Sequence, residues 1–207
     1  ACLTEDGTGG DLLPRDVILD GDRVAAVEPA SATVPEGAHD CAHGILVPAF
    51  VDMHTHLDKG HIWPRTANPD GTFAGALEAT GRDRAAHWSA EDVARRMDFS
   101  LRAAFAHGTA AIRTHVDSVP PQDRISWPVF AETKERWAGR IALQGVSLMG
   151  VDGIPEDVGP IFDLVTAHGG IVGAVLYKVP QMPARLATLL REAEERGLDI
   201  DFHVDET

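Results

Sequence analysis

The chain has 207 residues, 44% of them hydrophobic and 24% charged, which is the size and balance of one or two compact soluble units. With 18 Lys and Arg against 32 Asp and Glu, its net charge is −14, which argues against nucleic acid or an anionic membrane as a partner. Two cysteines, Cys2 and Cys41, exclude a disulfide framework and a Cys-rich zinc site. With no apolar run of membrane-spanning length and no basic-then-apolar leader after Ala1, they fit a cytoplasmic protein.

The first segment reads as β. Asp16–Asp20 and Arg23–Val27 flank Gly21-Asp22, a two-residue hairpin signal. Ala38–Val47 suggests one or two further strands. These pieces are too short to bury a core alone, so residues 1–48 are expected to be part of a small β-sandwich domain. From Phe50 the pattern changes to alternating strands and helices. Strands are expected at Phe50–His56, Thr109–Asp117, Ile141–Met149, Ile171–Val179 and Leu198–Glu206. Helices are expected at Ala90–His107, Ile125–Ala138, Pro155–His168 and Pro183–Arg196. Ser89 is the N-cap of the first helix, with Asp92 three residues on, and Val93, Met97, Leu101 and Phe105 form one apolar face. Pro128 is expected in the first turn of its helix, where a missing N–H costs least.

Successive βα units imply parallel strands covered by helices. No Gly-rich phosphate loop follows the first strand, which disfavours a nucleotide-binding open sheet. Polar and ionisable residues at the ends of most strands suit the mouth of a (β/α)8 barrel. Five strands do not close such a barrel. Residues 49–207 therefore read as its first part, about five of eight strands, within a longer protein.

The chemistry concentrates in Val51-Asp52-Met53-His54-Thr55-His56. Side chains two apart on a strand share a face, so His54 and His56 can offer two imidazoles to one ion, and neutral imidazole suits zinc and iron. The plain alternative for an isolated H-x-H is a pair of histidines bonded to nearby backbone. A second cluster, Ile200-Asp201-Phe202-His203-Val204-Asp205-Glu206, again ends an apolar strand in a histidine, with a carboxylate three residues on. Together the clusters suggest a hydrolase that activates water on a metal, with His54, His56 and His203 converging on one point.

The residues also carry a resemblance. Leu46-Val47-Pro48-Ala49-Phe50-Val51-Asp52-Met53-His54-Thr55-His56-Leu57-Asp58-Lys59 resembles the first barrel strand of the amidohydrolase superfamily. Arg113-Thr114-His115-Val116-Asp117, Leu143-Gln144 and His203-Val204-Asp205-Glu206 are similar to the corresponding strands of its cytosine deaminase branch. Ala49 departs from the glycine of many relatives, and Lys59 is shared with isopropylammelide hydrolase-like members. The resemblance implies a mononuclear iron or zinc site with His54, His56 and His203 as ligands. It adds a histidine from a sixth strand and an aspartate from an eighth, neither within these 207 residues. It makes Glu206 the proton shuttle and Gln144 a substrate contact, and a glutamine amide can donate and accept at once. His115 and Asp117 share one side of their strand and are candidates for orienting the ligands; Asp58 and Lys59 are candidates too, with a simple ion pair between them as the alternative.

The expected activity is hydrolytic deamination of cytosine or a related amino-substituted heterocycle, with one divalent metal, iron or zinc, as cofactor and a small heterocycle as the only partner besides a compatible homo-oligomer. The zinc deaminases of nucleosides and nucleic acids use H-x-E with P-C-x-x-C, and no C-x-x-C occurs in this chain. The alternatives are hydrolysis of another C–N bond, in an N-alkylamino triazine or a cyclic amide, and a non-catalytic barrel used as a scaffold.

Overall fold

The computed structural model describes residues 13–42 and 44–205. The chain divides into two compact units, Ala1–Ala49 and Phe50–Thr207.

In the first unit, β1 (Arg15–Asp20) and β2 (Arg23–Pro29) pair antiparallel. Their turn uses Gly21 at φ 61°, a left-handed conformation that glycine adopts without a Cβ penalty. Beyond it, the strands expected in Ala38–Val47 are not found among the described residues. The physical reason is local. Asp40 Oδ1 accepts the Ala42 N–H at 2.8 Å, Ala42 takes φ 47°, and Gly44 N–H bonds to the Cys41 carbonyl at 2.7 Å. A side chain capturing the backbone two residues on makes a tight turn in place of a ladder.

In the second unit, β3 (Phe50–Thr55), β4 (Thr109–Asp117) and β5 (Ala142–Leu148) form a parallel sheet in that order, and β6 (Val172–Val175) pairs parallel with β7 (Ile200–His203). Parallel bridges Val146–Ile171 and Gly150–Val175 join β5 to β6. The strands thus follow one another in chain order. The helices α1 (Phe73–His87), α2 (Ala90–Ala106), α3 (Asp123–Trp137), α4 (Gly159–Ala167) and α5 (Met182–Arg196) lie between them in sequence. A parallel sheet requires such crossovers and buries the face they cover.

The pairing of β4 with β5 sets Ile112, Thr114 and Val116 beside Leu143, Gly145 and Ser147. All six are buried. This is the helix-covered face, and Trp127 and Phe130 from α3 are fully buried in the core. A Cβ added at Gly145 would lie 2.7 Å from the Phe130 ring, and one at Gly170 2.3 Å from Trp127, so both glycines are places where a ring packs directly on backbone. The opposite face carries Arg113, His115 and Asp117 beside Gln144, Val146 and Leu148. Five strands and four of the five helices follow the sequence pattern. On α2, Asp92 N–H bonds to Ser89 Oγ at 3.2 Å, and Val93, Met97 and Leu101 are fully buried. Phe105, the fourth residue of that apolar face, is 49% exposed.

Two expectations are corrected. Pro128 lies in the second turn of α3, not the first, because the helix begins at Asp123, two residues earlier than the hydrophobic pattern indicates. And α1 occupies a stretch that reads as loop. It is capped by Thr72, whose Oγ accepts from Gly75 N at 3.0 Å. Its buried positions are Gly75, Ala79 and Asp83, while Phe73 and Leu77 are exposed. A helix that packs through small residues and a carboxylate has no apolar stripe to reveal it. No helix among the described residues is long and apolar enough to cross a membrane.

Candidate metal centre

β3 delivers the first two histidines through an irregularity. Asp52 pairs with Ile112 and Thr55 with Thr114, so three residues of β3 span two of β4. Such an extra residue bends a strand and re-aims its side chains. Here Thr55 shares the helix-covered face with Thr114. His54 and His56, on either side of it, turn to the opposite face, where His115 lies. The chain is fixed just beyond by Leu57 N–H, which bonds to Thr114 Oγ1 at 2.9 Å. β7 supplies His203 from its last position.

These elements bring four imidazoles together. The ligand atoms of His54, His56, His115 and His203 all lie within 4.8 Å of one another. Ring centroids are 4.5 Å apart for His54–His203, 4.5 Å for His54–His115 and 4.3 Å for His115–His203. His115 and His203 are buried, His56 is half-buried and His54 is exposed. Burial, then the charge of Lys59 and the nearness of His115, His203 and His54, pushes the His56 pKa down to about 3. Burial, followed by His115, His54 and Lys59, pushes His203 down to about 4 against the opposing pull of Asp201. Burial, then His54, also lowers His115. Rings held neutral keep their lone pairs, which is the form that ligates a metal.

The donor set fits an ion. His56 Nδ1 is buried without a hydrogen bond among the described residues, and a buried ring nitrogen left in that state is costly unless something occupies it. Two ligands each about 2.1 Å from one ion can be at most about 4.2 Å apart. The 4.8 Å spread of the four ligand atoms is close to that limit. His115, a candidate for orienting the ligands, stands inside the cluster.

Asp58 and Lys59 do not pair with each other. Lys59 Nζ bonds to Asp117 Oδ1 at 2.7 Å, and Arg84 Nη1 bonds to Asp117 Oδ2 at 2.7 Å. Asp58 instead turns inward, is fully buried, and accepts the Asp117 backbone N–H at 2.7 Å. Burial, then the charge of Asp117, raises its pKa. Lys59 still lowers the Asp58 pKa against that rise, but its hydrogen bond goes to Asp117, which lies between two cations. The Lys59 and Arg84 charges overcome burial and hold Asp117 below the ordinary carboxylate value.

Sequence reasoning missed the support behind this loop. Arg96 Nη1 donates to the Asp58 carbonyl and, at 3.4 Å, to that of Gly60. Arg65 bonds to Asp83 through Nε and Nη2, each at 2.7 Å, and to Asp92 through Nη1 at 2.7 Å and Nη2 at 2.8 Å. Trp88 Nε1 and Thr66 Oγ1 also donate to Asp83, each at 2.7 Å. The Arg65 bonds hold Asp92 below its ordinary pKa; burial pulls Asp83 upward, but bonds from Arg65, Thr66 and Trp88 outweigh it. Arg65→Met takes the shared guanidinium from two carboxylates whose side chains are 0% and 8% exposed, leaving Asp83 the bonds from Thr66 and Trp88 and Asp92 the Arg96 Nε bond at 2.9 Å. The expected loss is about 3 kcal/mol, the low end for a broken buried pair, because Arg65 itself is 32% exposed. Urea unfolding of the full-length protein measures it, and an unchanged midpoint would make the network a surface feature.

Gln144 lies on the same face as His115, two positions earlier in the β4–β5 register. Its Oε1 accepts from Arg113 Nε at 3.0 Å. Glu206 lies outside the described residues.

Parallel strands with helical crossovers thus carry at their carboxyl ends a histidine cluster able to hold a metal ion. No protein-family model matches the chain. Over 199 residues it is 49% identical to a pterin deaminase of Rhizobium rhizogenes (strain K84 / ATCC BAA-868), covering 95% of this chain and 46% of that protein. The solved N-isopropylammelide isopropylaminohydrolase from Burkholderia multivorans ATCC 17616 matches with a TM-score of 0.69 at 29% identity, covering 91% of this chain and 49% of that one. The 5-methylcytosine deaminase from Klebsiella pneumoniae, solved with 5-fluorocytosine, shares the fold with a TM-score of 0.77 at 22% identity, covering 95% of this chain and 49% of that one. The chain spans about half the length of the curated relatives it matches. These deaminases and amidohydrolases agree with the resemblance to the N-terminal part of the amidohydrolase superfamily.

Proposed function

We propose that this chain is the N-terminal part of a metal-dependent deaminase of the amidohydrolase superfamily, acting on an amino-substituted heterocycle. The observation that carries the reading is the four-histidine cluster at the ends of β3, β4 and β7. Residues 1–48 would then contribute to a small β-sandwich, and residues 49–207 would be the first part of a (β/α)8 barrel. The remaining strands of the whole protein would close it against β3, whose Val51 and Met53 are 64% and 75% exposed.

His54, His56 and His203 would hold one divalent ion, iron or zinc, completed by residues of later strands. When bound, the ion supplies the acidity that makes water a nucleophile at neutral pH. The chain's own groups do the rest. Glu206 would move a proton from the attacking water to the ring nitrogen or the departing ammonia. Gln144 would hold the ring edge. Lys59, fixed by Asp117, adds positive charge beside the site and helps hold the pKa of His56 and His203 down. The single-ring cytosine and the fused pterin are both candidate substrates, and the 49% identity to a pterin deaminase favours the fused ring. An N-alkylamino triazine is the alternative, supported by the Burkholderia structure at 29% identity. A scaffold without activity would have no use for a cluster of four converging imidazoles. A free small molecule as partner and a cytoplasmic setting suit the acidic charge of −14.

The full-length protein loaded with zinc or iron is expected to bind about one equivalent of metal and to release one ammonia per pterin or cytosine consumed. Metal binding with ammonia release from none of the pterins, pyrimidines or triazines would overturn the deaminase reading.

A further inference from the structure

The four histidines straddle a seam. His54, His56 and His115 stand on, or just beyond, the sheet of β3, β4 and β5, whereas His203 ends the β6–β7 pair. Between β5 and β6 the main chain is joined at the bridges Val146–Ile171 and Gly150–Val175. Ser147 Oγ adds a bond to the Gly173 carbonyl at 3.0 Å and accepts the Gly173 N–H at 2.9 Å. These contacts are local to β5 and β6. They set the distance from β4 to β7 only through the two strands between.

A direct tie spans the seam on the histidine-bearing face. Arg113 lies two residues before His115 on β4, and Asp201 two residues before His203 on β7. Each therefore shares the face of its histidine. Arg113 Nη1 bonds to Asp201 Oδ2 at 2.7 Å, and Arg113 Nε donates to Gln144 Oε1 on β5 at 3.0 Å. The β6 residue in register with Asp201 is Gly173, which places no side chain on this face. The other oxygen of Asp201 is 3.6 Å from His115 Nε2. Two positions along a strand are about 6.6–6.8 Å, so the tie runs one side-chain step below His115 and His203. Those two rings are 4.3 Å apart in centroids, and ligands at about 2.1 Å from one ion tolerate little change in their spacing. A charge-assisted Arg–carboxylate bond is short and directional, so it fixes the separation of the two strands where the ligands need it fixed.

We propose that Arg113 and Asp201 are positioning residues of the metal centre: their ion pair sets the spacing of His115 and His203, and Asp201 also aims the His115 ring. The inference rests on the metal-binding reading of the cluster.

The test uses the full-length protein with zinc and cobalt(II) as probes. Arg113→Met should lower zinc affinity by about 10–100-fold, the range for a supporting residue, read by competition with a graded chelator. Asp201→Asn removes the charge at the far end and the carboxylate facing His115, so it should lose at least as much; it carries the test if Arg113→Met does not fold. Arg113→Lys keeps the charge and can still reach one carboxylate oxygen, and should regain most of the affinity. The visible spectrum of the cobalt(II) form reports ligand geometry in the folded fraction alone, and it should change in Arg113→Met and Asp201→Asn. Wild-type zinc affinity and cobalt spectrum in the folded variants would overturn the inference, even with a lower urea midpoint, because the pair would then brace the sheet and not the metal. A wild type that binds neither zinc nor cobalt would sink the metal reading and this inference with it.

Discussion

Alanine at His203 is expected to remove metal and activity together. The residue ends β7, is 5% exposed, and stands 4.5 Å from His54 and 4.3 Å from His115 in ring centroids. Loss of a directly ligating nitrogen should exceed the about 10–100-fold drop in metal affinity typical of a supporting residue. His115→Ala is the informative partner. If His115 only orients the others, its loss stays within that about 10–100-fold range. If it ligates, the two variants behave alike. Metal content after dialysis against a graded chelator separates the cases. A His203→Ala protein that keeps one equivalent of metal would remove His203 from the ligand set.

The sequence legibility of the molecule follows where its information is local. β4 was readable over its whole length, Thr109–Asp117, because Gly108 precedes it and Ile112, Thr114 and Val116 alternate along it. Ser89 was readable as a cap because capping involves residues three apart. The H-x-H pair was readable because strand parity is a two-residue rule. What escaped depends on residues distant in the chain. Helix α1 packs through Gly75, Ala79 and Asp83, and the value of Asp83 as a packing residue exists only because Arg65 and Trp88 reach it. The partner of Lys59 is 58 residues away; its neighbour Asp58 looked the natural choice until burial withdrew it. His115 was placed behind the ligands because nothing in the strand's own parity reveals how far β3 bends at Asp52–Thr55. Ala38–Val47 shows the reverse error: its apolar residues suggested a strand, and one aspartate bonding its own backbone turned the chain instead.

Glu206→Gln in the full-length enzyme separates proton transfer from metal binding. Glutamine keeps the size and part of the hydrogen bonding of glutamate but cannot carry a proton between water and a leaving nitrogen. General acid–base groups contribute about 10²–10⁴-fold in rate, so kcat should fall by about that factor. KM and metal content should stay near their wild-type values, since the ring edge is held elsewhere and Glu206 is not among the proposed ligands. The contrast with His203→Ala is the point of the experiment: one variant loses rate with its metal in place, the other loses both. The pH profile adds a second reading, because the limb of kcat that reports the shuttle's ionisation should disappear with the carboxylate. Full turnover by Glu206→Gln would take the residue out of the mechanism, and loss of metal would make it a ligand.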